Sequence, residues 1–280
     1  MQHVTQKDLK GLFVPGESSH KGQNGRLLVI GGSKLFHAAS LWALTVASRI
    51  VDLVHYASVP ENNEIILRAK EEFRNGIVIR REDIDAYMKE DDCILIGVGM
   101  TRDGETEELT NRLLKNYPKK QWVIDAGALQ MMDLTLMPLN AIITPHHGEF
   151  AIIWDKAALQ HPDIAVRTTD EEKIKTFGDL YHCIVLLKGK EDLVYADREC
   201  YAVDGGNAGM TKGGTGDVLS GLAAALATKN TPFLAAEAAS FINKNAGDTL
   251  YKTVGPYFNA TDLANQIPAS MKQLFICEEN

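Results

Sequence analysis

The feature that most restricts the fold of this 280-residue chain is a regular alternation of short apolar runs with segments of helical character. We expect buried strands at residues 26–30, 54–59, 77–79, 92–98, 122–125, 141–144 and 183–187, and helices at 37–52, 61–75, 105–116, 170–182, 216–228, 232–251 and 261–275. Strands that alternate with helices favour a mostly parallel, doubly wound α/β sheet with helices on both faces.

Two further patterns complete the predicted architecture. Residues 193–196 and 200–203 flank Asp197-Arg198-Glu199, which is typical of a β-hairpin. No linker, low-complexity tract or internal repeat interrupts the alternation. The sequence therefore predicts one domain over residues 1–280, with an irregular N-terminal arm at 1–25.

Residues 205–221, reading GGNAGMTKGGTGDVLSG, join a stretch rich in glycine to the start of a predicted helix. A helix beginning near Thr215 would direct its free N–H groups into the glycine loop, and such N-termini attract anions. Asp217 would lie in the same first turn, so the amides could hold a phosphate while its carboxylate removes a proton. The simpler alternative is a glycine turn with Asp217 as a capping acid. The coincidence of these features favours the phosphate site.

Composition and charge exclude several classes of function. The net charge of −8 argues against nucleic acid as the main partner, and no apolar run is long enough to span a membrane. The polar N-terminus contains no secretory signal. Four scattered cysteines without a CxxC pair indicate a reducing, cytoplasmic protein, in which the sequon at Asn259 carries no glycan. We expect Thr261 to cap the last helix instead.

The two commonest nucleotide-binding motifs are absent. The Walker A pattern GxxxxGK[ST] is not found, and Gly97-Val98-Gly99 lacks the third glycine of the Rossmann pattern because position 102 is Arg. The glycine loop at 205–221 therefore remains the main candidate.

Polar residues follow several predicted strands, at the edge where α/β sheets bind ligands. In TPHHGE, Glu149 could hold a magnesium-bound water and His146 could bind a substrate, although a turn followed by a helix with an acidic first turn explains the same residues. Residues 188–192, KGKED, could present a lysine and backbone groups to a nucleotide, or form a charged loop. Asp125 could support magnesium or cap a helix. The small side chain of Ala39 would let a ligand approach the backbone.

The glycine loop resembles the signature of the ribokinase-like NAD(P)H-hydrate dehydratases. Other segments resemble motifs of this family in the family's order: KGxxGRLLVIGGS, AAS, GVGM, DAGAL, TPHHGEF, LLKG and NAGD. The resemblance covers most of the chain, and GGTGD is its most specific part. It implies a ribokinase-like α/β fold. The epimerase domain that often precedes this domain in the family is not expected here.

The resemblance implies a lyase that repairs the 6S hydrate of NADH or NADPH. Such an enzyme phosphorylates the added hydroxyl with ADP or ATP and magnesium, and then eliminates phosphate. Asp217 would be the base, Gly214, Thr215 and Gly216 the anion hole, and Glu149 the magnesium residue. The nucleotide would contact Lys188, Gly189, Lys190, Glu191, Asp192 and Gly216, and the hydrate would contact Ala39, Gly99, His146 and Asp217. The family often forms tetramers.

The chain departs from the family pattern at several positions. GVGM replaces GPGL and so introduces Val98 and Met100; Gly127 replaces the middle Asp of DADAL, and His147 replaces Pro. Asp52 stands where Gly is common. We expect these changes to lie mainly around the hydrate pocket, with the phosphate loop intact.

Two alternatives stay open. The first is a kinase of the same fold that acts on a vitamin precursor, such as a hydroxymethylpyrimidine or a thiazole alcohol, and releases a phosphorylated product. The second is a non-catalytic nucleotide-binding sensor. A sensor would need the glycine loop but not the base, so the presence of Asp217 argues against it.

Overall fold

Ten strands form one sheet in the computed structural model, which describes residues 1–69, 76–196 and 198–276. They are β1 (Gln2–His3), β2 (Arg26–Ile30), β3 (Leu53–Ala57), β4 (Ile77–Ile79), β5 (Cys93–Ile96), β6 (Gln121–Ile124), β7 (Ile142–Ile143), β8 (Ile184–Leu187), β9 (Asp192–Ala196) and β10 (Glu199–Val203). Their order is β1-β10-β9-β8-β7-β6-β5-β2-β3-β4. Only the β8–β9 and β9–β10 pairs among these are antiparallel, so the predicted mostly parallel sheet is confirmed.

Helices cover both faces of this sheet. They are α1 (His37–Ala47), α2 (Pro60–Ala69), α3 (Ile84–Tyr87), α4 (Gly104–Asn116), α5 (Ala126–Met131), α6 (His147–Gln160), α7 (Asp170–Tyr181), α8 (Thr215–Ala227), α9 (Pro232–Val254) and α10 (Ala260–Phe275). Leu27 and Val29 share a core with α1, α2, α8, α9 and α10, whereas Leu28 and Ile30 share a core with α3 to α7. Successive side chains of a strand point to opposite faces, so a strand between two helical layers is apolar throughout.

The predicted elements agree with the structure better in their type than in their bounds. The helix predicted at 37–52 ends at Ala47, and the hairpin is β9 and β10. The part of the predicted helix at 70–75 and the hairpin residue Asp197 lie outside the described residues. Helix α5 was not predicted, because six residues are too few to show a helical period.

Two expectations near the chain ends were wrong. Residues 1–25 are not irregular throughout, since β1 pairs with β10 and a 3-10 helix at Gln6–Leu9 buries Leu9 completely. Asn259, not Thr261, caps α10: its amide oxygen accepts the N–H groups of Thr261 at 2.8 Å and Asp262 at 3.2 Å. Asn is a stronger N-cap than Thr, and the Thr261 hydroxyl instead accepts a bond from Trp42 Nε1 at 3.0 Å.

The carboxyl edge of the parallel strands positions the site. Strands β5, β6, β7 and β8 run parallel as neighbours, so their final residues meet along one edge, where His146 and Lys188 form an additional bridge. The first turn of α8 packs beside Lys188 at this edge, since a Cβ placed on Gly216 would lie 3.4 Å from Lys188 Nζ. None of the helices in the described ranges combines the length and apolarity needed to cross a bilayer.

Candidate active site

Two cavities meet at the first turn of α8. The glycine-loop cavity, of about 470 Å³, is lined mainly by residues after β8, the loop after β10, the start of α8 and α9. The Asp217 cavity, of about 810 Å³, is lined by residues after β5, β6 and β7, the start of α1, and Asp217. Thr215 and Gly216 line the first cavity, and the next residue, Asp217, lines the second. The same helical turn is therefore part of both walls.

The start of α8 is a backbone structure that requires glycine. Gly214 occupies the N-cap position with φ of +97°, and a Cβ there would overlap the Trp42 ring. The Thr215 hydroxyl lies 2.7 Å from Met210 O and 2.9 Å from Lys212 O, which ties the glycine loop to the helix. The Thr215 N–H donates to Lys212 O at 3.4 Å. The other amides of a first turn have no partners within their helix, so those of Gly216 and Asp217 suit an anion.

Asp217 is held in an environment that favours its neutral form. Burial, and then the negative charges of Asp125 and Glu149, raise the pKa of Asp217 to about 7, against the opposing effect of Lys188. A carboxyl group with a pKa near neutrality is suited to general-base chemistry. The capping alternative is wrong, since Gly214 holds the N-cap position.

Lys188 joins the carboxylates into one cluster. Its Nζ lies 3.1 Å from Asp125 Oδ1 and 3.8 Å from Glu149 Oε2. Burial acts to lower the pKa of Lys188, but Asp125 and Glu149 outweigh it and the pKa is raised. Lys188 is therefore a charged ammonium beside the first turn of α8.

Asp125 has a role that the sequence did not reveal. It stands at the N-cap of α5, but within the described residues its side chain accepts no capping bond. Its Oδ1 accepts a hydrogen bond from Lys188, and its Oδ2 accepts one from the Ser220 hydroxyl. Thr144 Oγ1 lies 3.2 Å from the same hydroxyl. Asp125, Ser220 and Thr144 are all buried, so the network is fixed.

Glu149 and His146 form a capping box at the start of α6. Glu149 Oε2 accepts the His146 N–H at 2.9 Å, and the Glu149 N–H donates to His146 Nδ1 at 3.2 Å. Gln130 Nε2 donates to Glu149 Oε1 at 3.3 Å. Burial, and then Asp125, raise the pKa of Glu149. The turn-and-helix explanation of these residues describes their local geometry, but both also line the Asp217 cavity.

The loop after β8 is organised by Asp192 and Lys244. Asp192 Oδ1 accepts the Gly189 N–H at 2.9 Å, and Lys244 Nζ donates to Lys190 O at 2.9 Å and Gly205 O at 3.0 Å. Lys188, Gly189, Lys190 and Asp192 line the glycine-loop cavity. Glu191 does not line it. Its side chain is exposed beside His3 and Asp204, and one imidazole nitrogen and two carboxylate oxygens of these three residues lie within 4.8 Å of one another. Asn207 of the predicted glycine loop also lines this cavity, as do Asn243 and Lys244, which sequence reasoning missed.

The Asp217 cavity contains the other predicted residues and several that were missed. Ala39, Gly99 and His146 line it. Gly99 has φ of +70°, and a Cβ there would lie 2.6 Å from Phe36 O, so only glycine fits. The missed residues include exposed apolar groups and one cation, and are Leu35, Phe36, Arg102, Gln130 and Ile152. Arg102 Nη1 donates to Gln130 Oε1 at 3.4 Å, which links this cation to Glu149 through one amide.

Only some of the departures from the family pattern lie at this cavity. Met100 and Gly127 line it and touch each other, because a Cβ on Gly127 would overlap the Met100 carbonyl. The expected position of His147 was wrong: its Nε2 lies 3.1 Å from Asp170, and its ring packs against Gly189 of the glycine-loop cavity. Asp52 was also misplaced, because it precedes β3 and accepts the N–H groups of Gly22 and Asn24.

Comparisons with known proteins place the chain among relatives of one kind. A family model described as NAD(P)H-hydrate dehydratase matches residues 27–269. An ADP-dependent (S)-NAD(P)H-hydrate dehydratase from Nitrosopumilus maritimus is 34% identical over 278 residues, covering 93% of each chain. A bifunctional NAD(P)H-hydrate repair enzyme from Methanocaldococcus jannaschii is 36% identical over 276 residues, covering 95% of this chain and 52% of that protein. The chain thus spans about half the length of the bifunctional relatives.

A solved structure has the same fold. The ribokinase-like superfamily protein from Enterococcus faecalis V583 superimposes with a TM-score of 0.82, covering 98% of this chain and 96% of that one, at 20% identity. The expected ribokinase-like α/β architecture is confirmed.

Proposed function

The chain belongs to the NAD(P)H-hydrate dehydratase family, and from this premise we propose that it uses ADP or ATP to dehydrate the 6S hydrate of NADH or NADPH. The observation that carries the proposal is the shared wall of the two cavities. Gly216 faces the glycine-loop cavity and Asp217 faces its neighbour. A phosphate donor in one cavity and an alcohol in the other would meet at the amides of α8.

The glycine-loop cavity suits an adenine nucleotide. Its wall supplies the ammonium groups of Lys188 and Lys190, together with the apolar side chains of Met210 and Leu219. Cationic groups and free amides of a helix N-terminus bind phosphates, whereas an apolar wall accepts a base. We assign Lys188, Gly189, Lys190 and Gly216 to direct nucleotide contact, and Asp192 to holding the loop. Glu191 lies outside this cavity, so we expect it to make no contact with the nucleotide.

The Asp217 cavity suits the hydrated dinucleotide. Its larger volume fits a larger ligand, and Leu35, Phe36 and Ile152 supply apolar surface at its wall. Ala39 and Gly99 let the ligand approach the backbone, and His146 can hydrogen-bond a polar group. Arg102 supplies a positive charge for a phosphate of the dinucleotide.

The residues account for a phosphoryl transfer followed by elimination. Asp217 takes the proton of the C6 hydroxyl, and the hydroxyl oxygen forms a bond to the terminal phosphorus while the bond from that phosphorus to the nucleotide breaks. The charge on the transferred group is stabilised by backbone amides, those of Gly214, Thr215 and Gly216. The Thr215 N–H also donates to the Lys212 carbonyl. The ring nitrogen lone pair then expels phosphate from C6, and loss of the C5 proton restores the dihydronicotinamide.

The chemistry of the cluster fits a magnesium ion. Asp125, Glu149 and Asp217 supply carboxylates, while Lys188 supplies a single ammonium group, so a divalent cation would improve the balance of charge. Both Glu149 oxygens already accept hydrogen bonds, so Glu149 would hold a water of the ion. Bound magnesium supplies positive charge to the phosphates. Glu149→Gln is expected to raise the magnesium concentration needed for half-maximal rate, and an unchanged titration would remove Glu149 from this role.

We propose a cytoplasmic location and a single working domain over residues 1–280. Cys93, Cys183 and Cys200 are free and buried, which supports a reducing compartment. The tetramer common in the family remains a proposal for size-exclusion chromatography with light scattering.

One assay tests the function and separates the alternatives. Enzyme, magnesium and hydrated NADH are mixed with ADP or ATP, and reduced-nicotinamide absorbance and inorganic phosphate are followed together. A dehydratase restores the absorbance and releases one phosphate for each NADH formed. A vitamin-precursor kinase leaves the hydrate unchanged and forms a phosphorylated alcohol when given its own substrate, whereas a sensor binds nucleotide without turnover.

A further inference from the structure

The Asp125 side chain is a buried charge that the proposed steps do not use directly. It lies between two elements of the site: its Oδ1 is 3.1 Å from Lys188 Nζ at the end of β8, and its Oδ2 accepts from Ser220 of α8. The side chain of Asp125 is 3% exposed and that of Lys188 is 17% exposed. A buried carboxylate is costly unless it is paired and hydrogen-bonded, and here both oxygens have partners.

The ammonium of Lys188 lies where the transferred phosphate would pass. A Cβ built on Gly216 would be 3.4 Å from Lys188 Nζ, so the ammonium group is adjacent to the amides of the first turn. The Asp217 carboxylate, on the other cavity, also acts to raise the pKa of Lys188, after the larger effects of Asp125 and Glu149. A lysine side chain has a flexible stem, so its ammonium needs a fixed partner to remain at one place.

The structure supplies that partner from a rigid element. Asp125 follows β6 directly, and β6 and β8 are the two neighbours of β7 in the sheet. Ser220 is one turn after Gly216 and its Oγ lies 2.9 Å from Gly216 O, so the residue that orients Asp125 belongs to the helix that forms the anion hole. Since Ser220 donates its single proton to Asp125, Thr144 is placed to donate to Ser220.

We propose that Asp125 is a positioning residue, which with Ser220 fixes the Lys188 ammonium beside the first turn of α8 for contact with the terminal phosphate of the nucleotide. The inference rests on the proposed function for its kinetic consequence. Its binding consequence does not require the hydrate. Lys188 is the group that touches the phosphate, and Asp125 acts through it.

The test compares Asp125→Asn, Lys188→Ala and the double variant. Lys188→Ala is expected to lower kcat by ~10²–10³-fold, the effect typical of losing one group that stabilises transition-state charge. Asp125→Asn is expected to lower kcat by ~10–100-fold, as for partners that orient a functional side chain. Because Asp125 acts through Lys188, the double variant should match Lys188→Ala alone. Effects that multiply would overturn the proposal.

A second readout uses binding alone. Calorimetry should show that Asp125→Asn lowers the affinity for ADP by roughly tenfold and the affinity for AMP much less, since only ADP carries the terminal phosphate. Equal weakening of both nucleotides, or of neither, contradicts the proposal. If the wild-type enzyme does not restore reduced nicotinamide, the proposed function fails, but the ADP-to-AMP comparison still decides the position of Lys188.

Two further variants separate positioning from folding. Asp91→Asn changes another buried carboxylate, which lies away from both cavities and whose Oδ1 is 2.9 Å from His55 Nδ1. This variant should leave kcat unchanged, and also the ratio of the affinity for ADP to the affinity for AMP. Ser220→Ala keeps every charge and removes only the hydroxyl that orients Asp125. If Asp125→Asn does not fold, Ser220→Ala should still lower the affinity for ADP relative to that for AMP. An unchanged ratio of the two affinities would contradict the proposal that Ser220 and Asp125 position Lys188.

Discussion

The two cavities that meet at α8 differ in what builds their walls. The glycine-loop cavity is shaped by backbone: Gly205 and Gly206 have φ of +100° and +80°, and buried Lys244 binds the carbonyls of the surrounding loops. The Asp217 cavity is lined at its rim by long, exposed side chains, which include Arg102 and Leu35, the latter 70% exposed. A wall made of backbone restricts its sequence to residues that permit that backbone, whereas a wall made of side chains can change with its ligand.

The departures at Met100 and Gly127 follow this difference. Both line the Asp217 cavity, and the Met100 carbonyl occupies the space that a side chain at position 127 would need. Position 127 therefore has no room for a side chain beside this backbone, and neither change lies at the amides at the start of α8. Substitutions on the two sides should accordingly have different consequences for the two ligands.

The largest expected effect belongs to Asp217, in the turn of α8 that the two cavities share. Asp217→Asn retains the shape but removes the base, so turnover should fall by ~10²–10⁴-fold. Because the pKa of Asp217 is raised to about 7, the wild-type rate should increase with pH through that value as the carboxylate forms. The variant should lack this rise while retaining its melting temperature and nucleotide affinity. Near-normal turnover would exclude Asp217 as the base.

A backbone substitution should affect the glycine-loop side. Gly214→Ala forces a residue with a Cβ into a left-handed conformation and against Trp42, so the free energy of unfolding should fall by ~1–3 kcal/mol and ADP affinity should weaken. Gly213→Ala is the matched control, because a Cβ there meets nothing within 4 Å. Chemical denaturation and calorimetry compare the pair. Equal effects at both positions would show that the left-handed turn is unimportant.

A side-chain substitution should affect only the other ligand, by a smaller amount. Arg102→Ala removes the cation of the Asp217 cavity, and the KM for the hydrate should rise about threefold to tenfold while nucleotide affinity is unchanged. The change should be larger for the NADPH hydrate if Arg102 contacts the additional phosphate. Arg112→Ala, which removes an ion pair with Asp85 elsewhere, is the control. A change in nucleotide affinity without a change in the KM for the hydrate would contradict the assignment of Arg102 to the hydrate.

The sequence predicted the parts of the fold that depend on local pattern. Buried parallel strands are apolar on both faces, so β2 and β5 are evident as runs, and the glycines before Thr215 indicate the start of α8. The pairing of Asp125 with Lys188 could not be read in this way. The two residues are 63 positions apart, and only the order of β6, β7 and β8 brings them together.

The errors in position have the same origin. Asp52 was expected near the hydrate, but it precedes β3 and so lies at the opposite edge from residues that follow a strand. His147 is adjacent in sequence to His146, yet at the start of α6 the His146 ring lines the Asp217 cavity whereas the His147 ring packs against Gly189. Motif order identifies which residues recur together, whereas strand direction and helix geometry decide which cavity each one faces.

The central claim is that a phosphoryl group crosses from the glycine-loop cavity to the hydroxyl of a hydrate beside Asp217. The most direct measurement uses hydrated NADH that carries a heavy oxygen isotope in its C6 hydroxyl, with unlabelled nucleotide and water. If the hydroxyl is phosphorylated and then expelled, mass spectrometry should find one heavy oxygen in each inorganic phosphate released. Heavy oxygen recovered in water, with unlabelled phosphate, would contradict the account.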